Sequence, residues 1–163
     1  MNNEVEVGLR AADAEDATAM LKLLKQLESE SNFFELDADL DSVTAEQEAR
    51  QIELMNASGT NLILLATVGD QLIGIATVEQ INDSTGELGV AVLNDFQHMG
   101  LGTMLVDELI NWQENYSNLD QLELEVKKDN SVAIHIYQKL GFEQISETDK
   151  TIWMGKNNDY KSL

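Results

Sequence analysis

The chain contains no cysteine, no proline, two histidines and only ten lysines and arginines in 163 residues. Without cysteine there can be no disulfide, no thiolate metal site and no thiol nucleophile. His98 and His135 leave little for a histidine-rich centre, so no metal is expected. Long apolar runs are missing too. None approaches the ~18 residues of a membrane span, and "MNNEVEVGLR" lacks the apolar core of a signal peptide. The expectation is a soluble, cytoplasmic protein that touches no membrane. Nothing in the composition explains the absence of proline.

What the chain has in excess is negative charge. Thirty acidic residues against ten basic give a formal net charge of −20. Such a field repels nucleic acid and anionic membrane, and it attracts cations, polyamines or basic peptides. Plain solubility, or adaptation to a salty or acidic medium, accounts for it as well. An apolar share of 43% with 6% aromatics is that of an ordinary globular protein. A chain of this length fits one domain and buries roughly 70% of its unfolded surface.

Periodicity sets the order of elements. "VEVGLR" (5–10) alternates as a first strand. Asp13 caps a helix with Ala17, Met20, Leu21, Leu24 and Leu27 on one face. An acidic loop, "ESESNFFELDADLD" (28–41), carries Phe33 and Phe34. Thr44 and Gln47 form a capping box for a second helix ending near "NASGT". "NLILLATV" and "QLIGIATVEQ" read as a hairpin turned at Gly69-Asp70, and "ELGVAV" (87–92) as a fourth strand. A helix follows with Leu101, Met104, Leu105, Leu109 and Trp112 inward. "QLELEV" (121–126) is a fifth strand. Asn130 or Ser131 caps a last helix with Ala133, Ile136, Tyr137 and Leu140 in line, closed by Gly141. "FEQISE" and "KTIWMG" finish as a hairpin. The order β-α-α-β-β-β-α-β-α-β-β is a mixed α/β domain around one central sheet.

Chemistry concentrates between residues 87 and 143. "LNDFQHMGLGTML" (93–105) places Gly100 and Gly102 where the fourth strand hands over to a helix. Glycines there let backbone N–H groups approach a phosphate; a tight turn with glycines kept for packing is the alternative. A dinucleotide fingerprint is excluded, because Leu105 stands where G-x-G-x-x-G needs its third glycine. No G-x-x-x-x-G-K-[ST] loop occurs, and no G-x-S-x-G elbow for a serine hydrolase. What remains is Val92, Gln97, Gly100 and Gly102 in V-x-x-x-x-Q-x-x-G-x-G, followed by "DNSVAIHIYQKLGFE" (129–143).

Together these two segments resemble the GNAT superfamily of acetyl-CoA-dependent N-acetyltransferases. Asn130, Ala133, Tyr137, Lys139, Gly141 and Phe142 match the family's N-x-x-A-x-x-x-Y-x-K-x-G-F. The resemblance implies one domain over 1–163. It also implies a mixed, mostly antiparallel sheet, flanked by about four helices and splayed at the fourth and fifth strands. It implies that Val90, Ala91 and Val92 pair with the pantetheine arm, and that the Val92 N–H polarises the thioester carbonyl. Backbone amides of Gln97, His98, Met99, Gly100, Leu101, Gly102 and Thr103 would hold the pyrophosphate. Asn130 would bond the pantetheine or phosphate region, and Tyr137 would protonate the departing thiolate.

Departures from the family's pattern stand out at four positions. Relatives often carry arginine where Gln97 stands, basic residues at His98 and Met99, and proline at Asn94. The anionic cofactor must therefore rely here on amides and the helix dipole, with Lys127 and Lys128 as the nearby cations. Tyr137 alone would read as a packed core residue; within the motif, a phenol of pKa ~10 suits donation to a thiolate near ~8.5. Glu87 is the first candidate for the base that deprotonates an ammonium, and Glu125 the second, also able to bind the substrate cation. An exposed structural carboxylate is the plain alternative for Glu87. Phe33 and Phe34 would wall the acceptor site, or else tuck into the core. His135 is expected at the surface.

The expected activity is direct acetyl transfer from acetyl-CoA to a primary amine: a polyamine, another small amine or a peptide N-terminus. A homodimer is compatible with this reading. The alternative is a non-catalytic acyl-CoA-binding or sensor domain of the same fold.

Overall fold

The computed structural model describes residues 6–30 and 39–157; Phe33 and Phe34 lie outside them. Seven strands form one sheet in the order β1-β2-β3-β4-β5-β7-β6. They are β1 (Val7–Ala11), β2 (Leu62–Val68), β3 (Gln71–Gln80), β4 (Thr85–Val92), β5 (Gln121–Lys127), β6 (Glu143–Glu147) and β7 (Thr151–Asn157). All neighbouring pairs are antiparallel except β4–β5. The helices are α1 (Ala17–Glu30), α2 (Ala45–Ser58), α3 (Leu101–Asn115) and α4 (Ser131–Lys139). The mostly antiparallel sheet with one parallel pair and four helices is the architecture the sequence led us to expect.

Local signals explain the element ends. Asp13 caps a short 3₁₀ turn leading into α1, accepting from the Glu15 N–H at 2.8 Å. Asp16 returns the bond to the Asp13 N–H and takes a two-pronged contact from Arg10 at 2.7 and 2.8 Å. Hydrogen bonding to that guanidinium holds the Asp16 carboxyl below its ordinary pKa. Thr44 and Gln47 exchange capping bonds at the head of α2, and Gly59 ends it in the left-handed region. At the foot of α4 the Gly141 and Phe142 amides donate back to the Gln138 and Tyr137 carbonyls, with Gly141 at φ 99°. This paired closure requires a residue tolerant of positive φ.

Both faces of the sheet are covered. Leu64 and Leu65 of β2 point to opposite sides and are both buried. Val78, Leu119 and Leu122 close around Gly86. Two helical faces differ from the sequence expectation. In α1, Leu23 is buried in place of Leu21. In α3 the buried set is Leu101, Leu105, Val106, Leu109 and Ile110, while Met104 is exposed and Trp112 half-buried. α3 reaches β2, β3, β4 and β5, so its contact stripe is broad and turned by about one residue. Of the α4 row, Tyr137 is buried, with Ala133, Ile136 and Leu140 half-buried.

Candidate active site

The parallel β4–β5 pairing ends early. Only Thr85, Gly86 and Glu87 are in register with Gln121, Leu122 and Glu123. Beyond Glu87, β4 continues beside β3 while β5 continues beside β7. The two strands therefore part, opening a cleft between residues 88–92 and 124–127. Leu93 donates to the Ile73 carbonyl at 2.9 Å. By antiparallel alternation, Ala91 and Gly89 then direct their N–H and C=O groups to β3, and Val90 and Val92 direct theirs toward the cleft. Gln97 reports the same orientation, because its Nε2 donates to the Val92 carbonyl at 3.1 Å.

The strand does not pass straight into a helix. A 3₁₀ helix, Asn94–Met99, intervenes, and Gly100 at φ 74° then starts α3. Gln97 and the His98 backbone lie in that 3₁₀ helix, and Met99 ends it, 42% exposed. Glycine at 100 is demanded by backbone conformation. Glycine at 102 is not demanded by packing: among the described residues a Cβ there would meet only Ile136 Cδ1, at an ordinary 3.6 Å. Among the described residues no side-chain cap bond is seen at the head of α3, and no acid lies in its first turn. Leu101, Gly102 and Thr103 thus present first-turn N–H groups at the positive end of a fifteen-residue helix. That is a setting suited to an anion, and Gly102 leaves room for one to approach. Of the two nearby lysines, Lys128 is engaged by Glu147 at 2.9 Å.

α4 adjoins this turn, since Ile136 lies over Gly102. Asn130 caps α4 through its side-chain oxygen, which accepts from the Ala133 N–H at 3.3 Å. Tyr137 is 6% exposed and packs edge-on against Phe142, with ring centroids 5.9 Å apart. Burial pushes its phenol up to about 12, well above the ~10 of a free tyrosine. His135 is exposed.

Carboxylates line the point of divergence. Glu87 is the last β4 residue in register with β5, opposite Glu123, and on its other side faces Glu79. The Trp153 Nε1–H donates to Glu123 Oε2, and the Thr151 hydroxyl to Glu125 Oε2, each at 3.0 Å. Glu123 was not singled out from sequence. The strict alternation of "QLELEV" carries the signal, since it puts Glu123 and Glu125 on one face.

These features define a known class. A model of the acetyltransferase (GNAT) family matches residues 21–142, and the chain belongs to that family. Over 83 residues it is 36% identical to a [ribosomal protein bS18]-alanine N-acetyltransferase of Salmonella typhimurium, covering 51% of this chain and 55% of that one. The match thus spans about half of that relative. It is 26% identical over 159 residues to the L-amino acid N-acetyltransferase AaaT of Escherichia coli, covering 95% and 93% of the two chains. Among solved structures, a GNAT-family acetyltransferase from Streptococcus pneumoniae superposes with a TM-score of 0.84 at 27% identity, covering 94% of this chain and all of that one. The acetyl-CoA complex of yncA from Salmonella typhimurium, 17% identical, superposes at 0.75 over 93% of each chain and shares the fold.

Proposed function

We propose that this protein transfers an acetyl group directly from acetyl-CoA to a primary amine. The observation that carries the reading is the cleft where β4 leaves β5, with the Val90 and Val92 edges turned into it beside the uncapped head of α3. A strand-like pantetheine arm would add to that edge as another strand adds to a sheet. The amides of residues 97–103 would hold the pyrophosphate. Asn130, its oxygen occupied in capping, would offer its NH₂ group. The relatives named for alanine and amino-acid N-acetylation support the same chemistry.

The steps follow from the groups present. Glu87, directly or through water, accepts the proton that an ammonium must lose before it attacks. Glu125, steadied by Thr151, binds the cationic acceptor. The amine nitrogen bonds to the thioester carbon, and the Val92 N–H stabilises charge on the carbonyl oxygen. The carbon–sulfur bond breaks, Tyr137 donates a hydrogen bond to the leaving thiolate, and the surplus proton of the new amide nitrogen passes through water to that sulfur, leaving the neutral amide and free CoA thiol. The chain has no cysteine to carry the acetyl group, which supports transfer in one step. Its charge favours a polyamine, another cationic small amine or a basic peptide N-terminus.

Thiol release from acetyl-CoA with a panel of polyamines, amino acids, aminoglycosides and peptides tests this. Amine-dependent release with matching acetylated product is expected. Acetyl-CoA binding with no amine-dependent release would make the chain an acyl-CoA-binding domain instead.

A further inference from the structure

One hydrogen bond joins residues 64 positions apart. The Asn94 N–H donates to Glu30 Oε1 at 2.8 Å. Glu30 is the last residue of α1, and Gln26, one turn back, donates to its Oε2 at 2.9 Å. Asn94 is the first residue of the 3₁₀ helix between β4 and Gly100, and Leu93 before it supplies no side-chain cap. From its other end this helix is tied back to β4: Gln97 Nε2 donates to Asn94 Oδ1 at 3.2 Å as well as to the Val92 carbonyl. The turn is thus fastened at two places, once within itself and once to a distant element.

We propose that Glu30 is a positioning residue for the cofactor turn. By accepting from Asn94 it fixes the start of segment 94–99 against α1, so that the amides from 97 onward keep a common aim. This rests on the reading that residues 97–103 hold the pyrophosphate. The choice of side chain has a cost. A glutamine would make the same bond, whereas the carboxylate adds a negative charge next to a turn meant for an anion. Glu30 therefore contributes two separable effects: its oxygen atom orders the turn, and its charge opposes the ligand.

Three substitutions separate them. Glu30→Gln keeps length and acceptor and removes the charge. Glu30→Met keeps length and removes both. Asn94→Pro deletes the donor at a first helical position, where proline is tolerated; Leu93 at φ −58°, ψ 142° already has the extended backbone a following proline requires. Amide exchange at Asn94 is expected to be slow in wild type and Glu30→Gln, and faster in Glu30→Met. Glu30→Gln should bind acetyl-CoA more tightly than wild type, with the gain fading as salt rises. Glu30→Met should bind more weakly than Glu30→Gln at every salt concentration, by roughly two- to ten-fold. The change should fall on KM for acetyl-CoA rather than on kcat. In the Asn94→Pro background the Gln and Met variants should be equal.

Equal affinities of the two variants with Asn94 intact, or an Asn94 amide indifferent to Glu30→Met, would overturn the proposal. Failure of the underlying reading looks different. In that case Gly102→Val leaves acetyl-CoA binding unchanged, while exchange at Asn94 still responds to Glu30.

Discussion

Tyr137 carries more of the proposed chemistry than any other side chain, and burial alters what it can do. With its phenol pushed up to about 12, it stays neutral throughout the physiological range. It is then a much weaker acid than a free thiol, so its contribution is a hydrogen bond to sulfur as charge develops there. Tyr137→Phe should lower kcat by ~10²-fold or more, the loss expected when a donor aimed at developing charge is removed, and leave acetyl-CoA affinity nearly unchanged. Rapid-quench turnover against equilibrium titration checks the split. The same shift has a stability consequence. A group whose folded-state value is raised contributes stability below its unfolded value and loses it as pH rises through the folded one. Wild type should therefore lose stability relative to Tyr137→Phe between about pH 10 and pH 12, read from urea midpoints. For the base, Glu87→Gln should move the rising limb of the pH–rate profile upward, since the amine would have to arrive deprotonated. An unmoved profile would transfer the role to Glu125.

Helix ends and the succession of elements along the chain were readable because each depends on a few adjacent residues. Asp13, Thr44 with Gln47, and Gly141 with Phe142 all cap where their spacing indicates. Gly141 provides a direct check. At φ 99°, Gly141→Ala should cost about 1–2 kcal/mol in urea unfolding, because an L side chain is strained in that region. Its Cβ would also meet Lys156 Nζ at 2.8 Å, but that flexible end can move aside. Helix faces were less readable. Leu21 against Leu23, and Met104 against Val106, are decided by where the neighbouring strands lie, which a 3.6-residue period alone does not report. The 3₁₀ helix at Asn94–Met99 was missed for a similar reason. Its bonds run from Gln97 to Val92 and from Asn94 to Glu30, and the second needs tertiary structure to exist. In the candidate site, the motifs indicated where the glycine turn, the Asn130 cap and Tyr137 fall on their elements; their roles are proposals. The Glu123–Trp153 contact was not legible, because the two meet diagonally across the β5–β7 pairing, which sets Trp153 opposite Glu125.

Charge acts over the entire protein and in opposite senses on the two proposed substrates. At −20, the field draws in an ammonium and repels an acyl-CoA. Exposed charges are screened beyond ~8–10 Å at physiological ionic strength. kcat/KM for a polyamine-like acceptor should therefore fall steeply as salt rises, while a neutral amine of similar size changes little. Acetyl-CoA affinity should hold or improve over the same range, if its contacts are, as proposed, to backbone amides rather than to lysine or arginine. A salt-independent dication would return the acidity to solubility alone.

The proposal that backbone replaces cations in holding the cofactor is tested most directly at Gly102, where a Cβ has room against Ile136 and, on that proposal, would occupy the approach of the pyrophosphate. Acetyl-CoA is titrated into wild type, Gly102→Ala and Gly102→Val, each first shown to be folded by its unfolding midpoint. The predicted result is progressive weakening, reaching ten-fold or more in the valine variant, about 1.4 kcal/mol. A folded Gly102→Val protein that binds acetyl-CoA as wild type does would contradict the assignment.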